Sequence, residues 1–126
     1  MGIIAFCPLY QGLLTDKYID GTPSSSRAAK TTGLIRDGDL SESVILCIKE
    51  LNKIASDRSQ TLAQMALSWV LRDDKITSAL IGASSAIQVI ENTKCVENLN
   101  FSSEEKVLIN EALSKISLPK SLWASE

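Results

Sequence analysis

Histidine is absent from this 126-residue chain. That excludes Ser–His and Cys–His nucleophile pairs within it, and it removes the side chain most often used for proton transfer near neutral pH. Cysteine is scarce. Cys7, Cys47 and Cys95 are odd in number and far apart, which gives neither a zinc-type ligand spacing nor a paired disulfide framework. They read as buried or idle thiols in a reducing compartment, so no metal is expected and a cytoplasmic location is. An excess of one charge is also missing. Thirteen basic and fifteen acidic residues are interspersed for a net charge of −2, which leaves no electrostatic footprint for nucleic acid or an anionic membrane. The longest nearly uninterrupted apolar run, residues 1–9, is too short to span a bilayer and has no basic leader.

What is present is mostly helix with a little strand. "GIIAF" at residues 2–6 is short, apolar and β-branched, is closed by Pro8, and reads as a fully buried strand. From Gly12 to Gly38 glycine, proline and serine break every periodicity, and a loop of that length is unusual in a compact domain without a task. In "SESVILCIKELNKIASDR" the residues Val44, Cys47, Ile48, Leu51, Ile54 and Ala55 keep helical spacing behind a Ser41 cap. Thr61 and Gln64 form a capping-box pattern ahead of "LAQMALSWVLR", a helix apolar on most of its circumference. A second strand over residues 77–81 leads through Gly82 to a helix over residues 86–96. Ser102 and Glu105 cap a last helix with Val107, Ile109, Ala112, Leu113 and Ile116 on its apolar side. Two buried-type strands separated by helical crossover material predict a parallel sheet in an α/β fold. Two strands cannot bury two faces and two edges, so the chain reads as the end of a larger α/β domain.

The stretch "LIGASSAIQVIEN" at residues 80–92 raises the functional question. A strand, a glycine turn and a helix N-terminus together make a common anion site, because first-turn amides are unpaired and the helix end is partly positive. Gly82 permits close approach, Ser84 and Ser85 bring hydroxyls, and Gln88, Glu91 and Asn92 share one face over two turns. Ser85 with Gln88 is also a plain capping box, and spacing alone favours a solvated face.

Four segments carry a resemblance. "AFCPLYQGLLTDKY" (5–18), "PSSSRA" (23–28), "LAQMALSWVLRD" (62–73) and "TSALIGASSAIQVIEN" (77–92) resemble the C-terminal third of an aldo-keto reductase. The nearest branch includes glyceraldehyde-3-phosphate-type reductases and the β subunits of voltage-gated potassium channels. The resemblance implies the C-terminal portion of a (β/α)8 TIM barrel, incomplete here, with residues 2–6 as strand seven and 77–81 as strand eight. Residues 1–117 would be the barrel portion and 118–126 a tail. Function then belongs at the C-terminal strand ends.

The implied cofactor is NADP(H) in an extended pose, and the implied reaction is hydride transfer to a small aldehyde or ketone. Phe6 would stack on the nicotinamide. Cys7, Pro8, Leu9, Tyr10 and Gln11 would line the pyrophosphate. Many relatives carry serine where Cys7 stands, and a thiol is the weaker donor. Lys17 and Arg27 would reach over the cofactor phosphates, making the long loop a strap. Ser25 stands where one relative type has an aromatic. Gly82, Ser84 and Gln88 would sit near the adenosine 2′-phosphate, with Glu91 and Asn92 on adenine. Some relatives place arginine near the role given to Gln88, so NADPH is the expected preference with a weaker grip. The family's catalytic Asp, Tyr, Lys and His belong to its first half and match nothing here, so no catalytic residue is assigned and the chain alone is expected to be inactive. Met1 reads as an internal methionine of a longer parent. A nucleotide-sensing regulatory subunit and a non-functional remnant are the alternatives.

Overall fold

In the computed structural model, residues 1–9, 12, 14–15 and 41–116 are described. In chain order they form β1 (Ile4–Phe6), α1 (Glu42–Asp57), α2 (Leu62–Leu71), β2 (Ser78–Leu80), α3 (Ala86–Thr93), a 3-10 turn (Lys94–Glu97) and α4 (Ser103–Ser114). The two strands pair in parallel, with Ile4 opposite Ser78, Ala5 opposite Ala79 and Phe6 opposite Leu80.

The core lies between helices. Ser41 Oγ accepts from Val44 N and starts α1, and the six buried residues of α1 are Val44, Cys47, Ile48, Leu51, Ile54 and Ala55. They form one stripe because their spacing follows the 3.6-residue period. Leu62 and Met65 of α2 and Ile109 and Ala112 of α4 close over that stripe. The apolar side expected for α4 is therefore narrower than the sequence suggests. Val107 is 54% exposed, because α4 packs mainly on α1 among the described residues and buries only Ile109 and Ala112 there.

The capping boxes of α2 and α4 are both complete. The stop of α1 is less obvious. Ser59 N donates to Ser56 O and Gln60 N to Ala55 O, with Ser59 at φ +58. That is a Schellman closure, which usually has glycine at the left-handed position. Serine there carries a steric cost that glycine lacks. Ser59→Gly is expected to raise stability by about 0.5–1 kcal/mol, read as a higher urea midpoint.

The strand expected to be fully buried is not. Ile4 and Phe6 are 68% and 74% exposed, and Leu80 is 56% exposed. Ala5 and Ala79 alternate to the other face and are half-buried, on the side where α2 packs against β2. Among the described residues no further strand flanks the pair, so nothing covers the face bearing the large side chains. Cys7 is exposed while Cys47 and Cys95 are buried, and burial pushes both buried thiols above their ordinary pKa. A thiol reagent near pH 8 is therefore expected to label Cys7 rapidly, and Cys47 and Cys95 only after unfolding. Among the described residues no helix is long and apolar enough to cross a membrane.

Candidate functional site

Parallel pairing in this register sets the C-terminal ends of β1 and β2 side by side, about 4.8 Å apart. The turn after Phe6 and the segment 81–85 before α3 leave the sheet at the same end. The ring of Phe6 stands on the open face. Cys7 follows it in the left-handed region at φ +53, a conformation uncommon for a side chain other than glycine, asparagine or aspartate. Pro8 and Leu9 are half-buried. Leu9 O accepts from both Gly12 N (3.0 Å) and Leu14 N (3.2 Å), closing the turn on itself. Tyr10, Gln11, Lys17, Ser25 and Arg27, assigned above by resemblance, lie outside the described residues, as do the tail 118–126 and most of the long loop.

On the second strand end Gly82 is exposed, and a Cβ there would meet nothing within 4 Å. Neither the backbone nor the packing of the described residues requires glycine at this point, and the space above it is open. Ser85 caps α3 by accepting from Gln88 N at 3.3 Å. The reciprocal half of the expected capping box is displaced by one residue. Gln88 Oε1 accepts from Ser84 N at 2.8 Å and lies 3.1 Å from Ser84 Oγ. A backbone N–H can only donate, so the amide orientation of Gln88 is set, with Oε1 on Ser84 and Nε2 a donor with no hydrogen bond among the described residues. This arrangement leaves Gln88 suited to an anion above the first turn of α3.

The helix expected over residues 86–96 ends at Thr93 and tightens into the 3-10 turn. Its polar face turns toward the chain: Gln88, Glu91 and Asn92 are half-buried. Ile87, Val89 and Ile90 instead face outward. Glu91 Oε1 takes a 2.7 Å salt bridge from Lys94 Nζ. The hydrogen bond from Glu91, then its charge, holds the Lys94 pKa above the ordinary lysine range. The side chain of Asn92 has no hydrogen bond among the described residues. Ser84, Gln88, Glu91 and Asn92 thus stand on one short helix and its approach. Phe6 and Cys7 stand on the neighbouring strand end.

Sequence reasoning missed what holds α3. Gln64, recognised as a capping residue, also donates from Nε2 to Glu91 O at 2.7 Å. Ser68 Oγ lies 2.8 Å from Cys95 O. The only sequence signal was the presence of polar residues inside an otherwise apolar helix. Among the described residues no group of three His, Cys, Asp or Glu side chains can hold a metal ion.

Comparison with known proteins bears on what this arrangement serves. A family model described as "Aldo/keto reductase family" matches residues 1–114. The sequence is 44% identical to L-glyceraldehyde 3-phosphate reductase of Escherichia coli (strain K12), over 98% of this chain and 36% of that protein. It is 35% identical to a putative voltage-gated potassium channel subunit beta of Schizosaccharomyces pombe, over 76% of this chain and 29% of that protein. The chain therefore spans well under half the length of either relative.

Proposed function

Because this chain belongs to the aldo/keto reductase family, we propose that it forms the cofactor-binding end of an NADP(H)-dependent carbonyl reductase. The family implies a TIM barrel, and in this reading β1 and β2 are its seventh and eighth strands. The observation that carries it is the flush parallel pairing of Phe6 with Leu80, which brings the turn after one strand and the helix after the next to a common edge. Functional groups of such barrels gather at that edge. The uncovered face bearing Ile4, Phe6 and Leu80 is what a barrel turns toward its interior.

When bound, the nicotinamide supplies the hydride. The residues of this chain orient it. Phe6 would offer a flat apolar surface to the ring, and Cys7, Pro8, Leu9, Tyr10 and Gln11 would line the pyrophosphate. Lys17 and Arg27 would reach over the phosphates. Gln88 Nε2 would meet the 2′-phosphate near Gly82, with the Ser84 hydroxyl holding that amide by donating to its Oε1, while Glu91 and Asn92 would read adenine. The proton for the reduced carbonyl oxygen comes from the catalytic set of the complete barrel, so residues 1–117 alone do not turn over. L-Glyceraldehyde 3-phosphate is the first carbonyl substrate to try with the complete protein.

Titrating the chain with NADPH, followed by tryptophan fluorescence and thermal shift, tests this directly. Saturable binding with stabilisation is the expected result, and no binding up to millimolar NADPH would sink the reading. The similarity to a potassium-channel β subunit favours a second reading, a redox-sensing subunit using the same contacts. Brisk turnover of an aldehyde by the complete protein, without a stable membrane partner, would count against it.

A further inference from the structure

We propose that Gln64 is a positioning residue for the proposed adenosine-binding face, holding α3 in place through the carbonyl of Glu91. The inference rests on the reading of α3 given above and extends it to a residue on another helix. No residue of α3 is fully buried, and its large apolar side chains Ile87 and Ile90 are 71% and 58% exposed. A helix without a buried apolar anchor is not fixed by core packing. Its position must come from polar ties.

Those ties form a ladder. Between residues 58 and 68, buried or half-buried side chains meet successive backbone carbonyls after α2. Gln64 Nε2 reaches Glu91 O at 2.7 Å, Ser68 Oγ reaches Cys95 O at 2.8 Å, and Gln60 Nε2 reaches Asn98 O at 3.2 Å. Arg58 adds Asn98 O at 3.1 Å and Asn100 O at 2.9 Å. Only the Gln64 rung lands on α3 itself, and it lands on the residue whose side chain is assigned to adenine.

The geometry suits a fixed anchor. Gln64 is 6% exposed, and its Oε1 is held by Thr61 N at 2.9 Å, so its amide cannot flip without losing both bonds. Glu91 O lies in the last turn of α3, where it also accepts from the backbone N–H of the C-cap residue Lys94, so the Gln64 amide takes the second lone pair of a carbonyl already fixed in direction. The same amide thus caps the start of one helix and secures the end of another. A shift of about 1 Å in a binding face is enough to cost large factors in affinity or rate.

Gln64→Glu in the full chain separates these roles, because glutamate serves a capping box as well as glutamine does. It keeps an acceptor for Thr61 N and loses the donor to Glu91 O. Ile109→Val, in the α1–α4 core, sets the scale for a stability loss that does not touch α3. Two quantities are read: the Kd for adenosine 2′,5′-bisphosphate, and amide hydrogen exchange over residues 89–95. Gln64→Glu is expected to raise Kd about tenfold and to strip protection from residues 89–95. Ile109→Val should leave Kd within twofold. Unchanged protection of residues 89–95 in Gln64→Glu overturns the proposal, as does a Kd loss in Ile109→Val as large as that in Gln64→Glu. If the unmodified chain binds no adenosine bisphosphate, the cofactor reading falls while the exchange result still decides whether Gln64 holds α3.

Discussion

Arg58→Met is expected to cost about 3 kcal/mol of folding stability, toward the lower end of the range for breaking a buried charged network. The guanidinium side chain is 2% exposed and sits 2.6 Å from Glu105 Oε2. It also donates to Gln60 Oε1 (3.0 Å), Asn98 O (3.1 Å) and Asn100 O (2.9 Å). Its Cζ lies 3.8 Å from the centroid of the Phe101 ring, and Trp69 of α2 meets that ring at right angles with centroids 5.1 Å apart. Methionine can fill much of the volume but satisfies none of these acceptors. Asn98 O keeps its bond from Gln60 Nε2, so the losses fall on Asn100 O, Gln60 Oε1 and Glu105; a buried acceptor left without a donor costs about 1–3 kcal/mol, and such terms do not add in full. Glu105 retains a share of water, being 28% exposed, which moderates the loss. Arg58→Lys keeps the charge but not the planar fork, so an intermediate loss is expected. The urea midpoint measures both, and an Arg58→Met loss below about 1 kcal/mol would contradict the view of Arg58 as a hub.

Arg58 also marks where the sequence stops being legible. Capping is local chemistry, so Ser41, Thr61 with Gln64, and Ser102 with Glu105 could be read from spacing, and the structure uses them as read. The stripe of α1 was equally readable, since six apolar residues at helical intervals have one way to face a core. An arginine just beyond a helix end looks like a solvated charge. Its burial depends on carbonyls about 40 residues away, and no local pattern encodes that. The turn at Ser59 was hidden for the opposite reason: its geometry is common but its usual glycine is missing.

The candidate site divides in the same way. That two short strands pair in parallel followed from the helices between them. The polar face of α3 followed from its spacing, and the residues on it do lie together. Their orientation did not follow, because apolar Ile87, Val89 and Ile90 predict the reverse of the exposure observed. The expectation of a buried strand at residues 2–6 assumed neighbouring strands that the described residues do not include. Periodicity reports which face is apolar, but it cannot report whether the covering partner is present.

Gln88→Glu should lower NADPH affinity by about 30- to 100-fold, or roughly 2–3 kcal/mol, and leave NADH affinity within about twofold. The change is nearly isosteric. A carboxylate accepts from Ser84 N and Ser84 Oγ as the amide oxygen does, so the approach to α3 keeps its shape. What changes is the other terminal atom, from an N–H donor to an anionic oxygen. Beside a 2′-phosphate that turns a hydrogen bond into a like-charge contact. At about 4 Å with an effective dielectric near 20 such a contact amounts to roughly 4 kcal/mol, reduced here by solvent at an open surface. NADH carries no 2′-phosphate and should not register the added charge. Equal losses for both cofactors would point to a distorted helix, and no loss for either would remove Gln88 from the phosphate contact. Salt gives an independent check. If charge repulsion is the cause, the NADPH deficit of Gln88→Glu should shrink as ionic strength rises from 0.01 to 0.15 M, roughly the range over which the screening length falls from about 30 Å to about 8 Å.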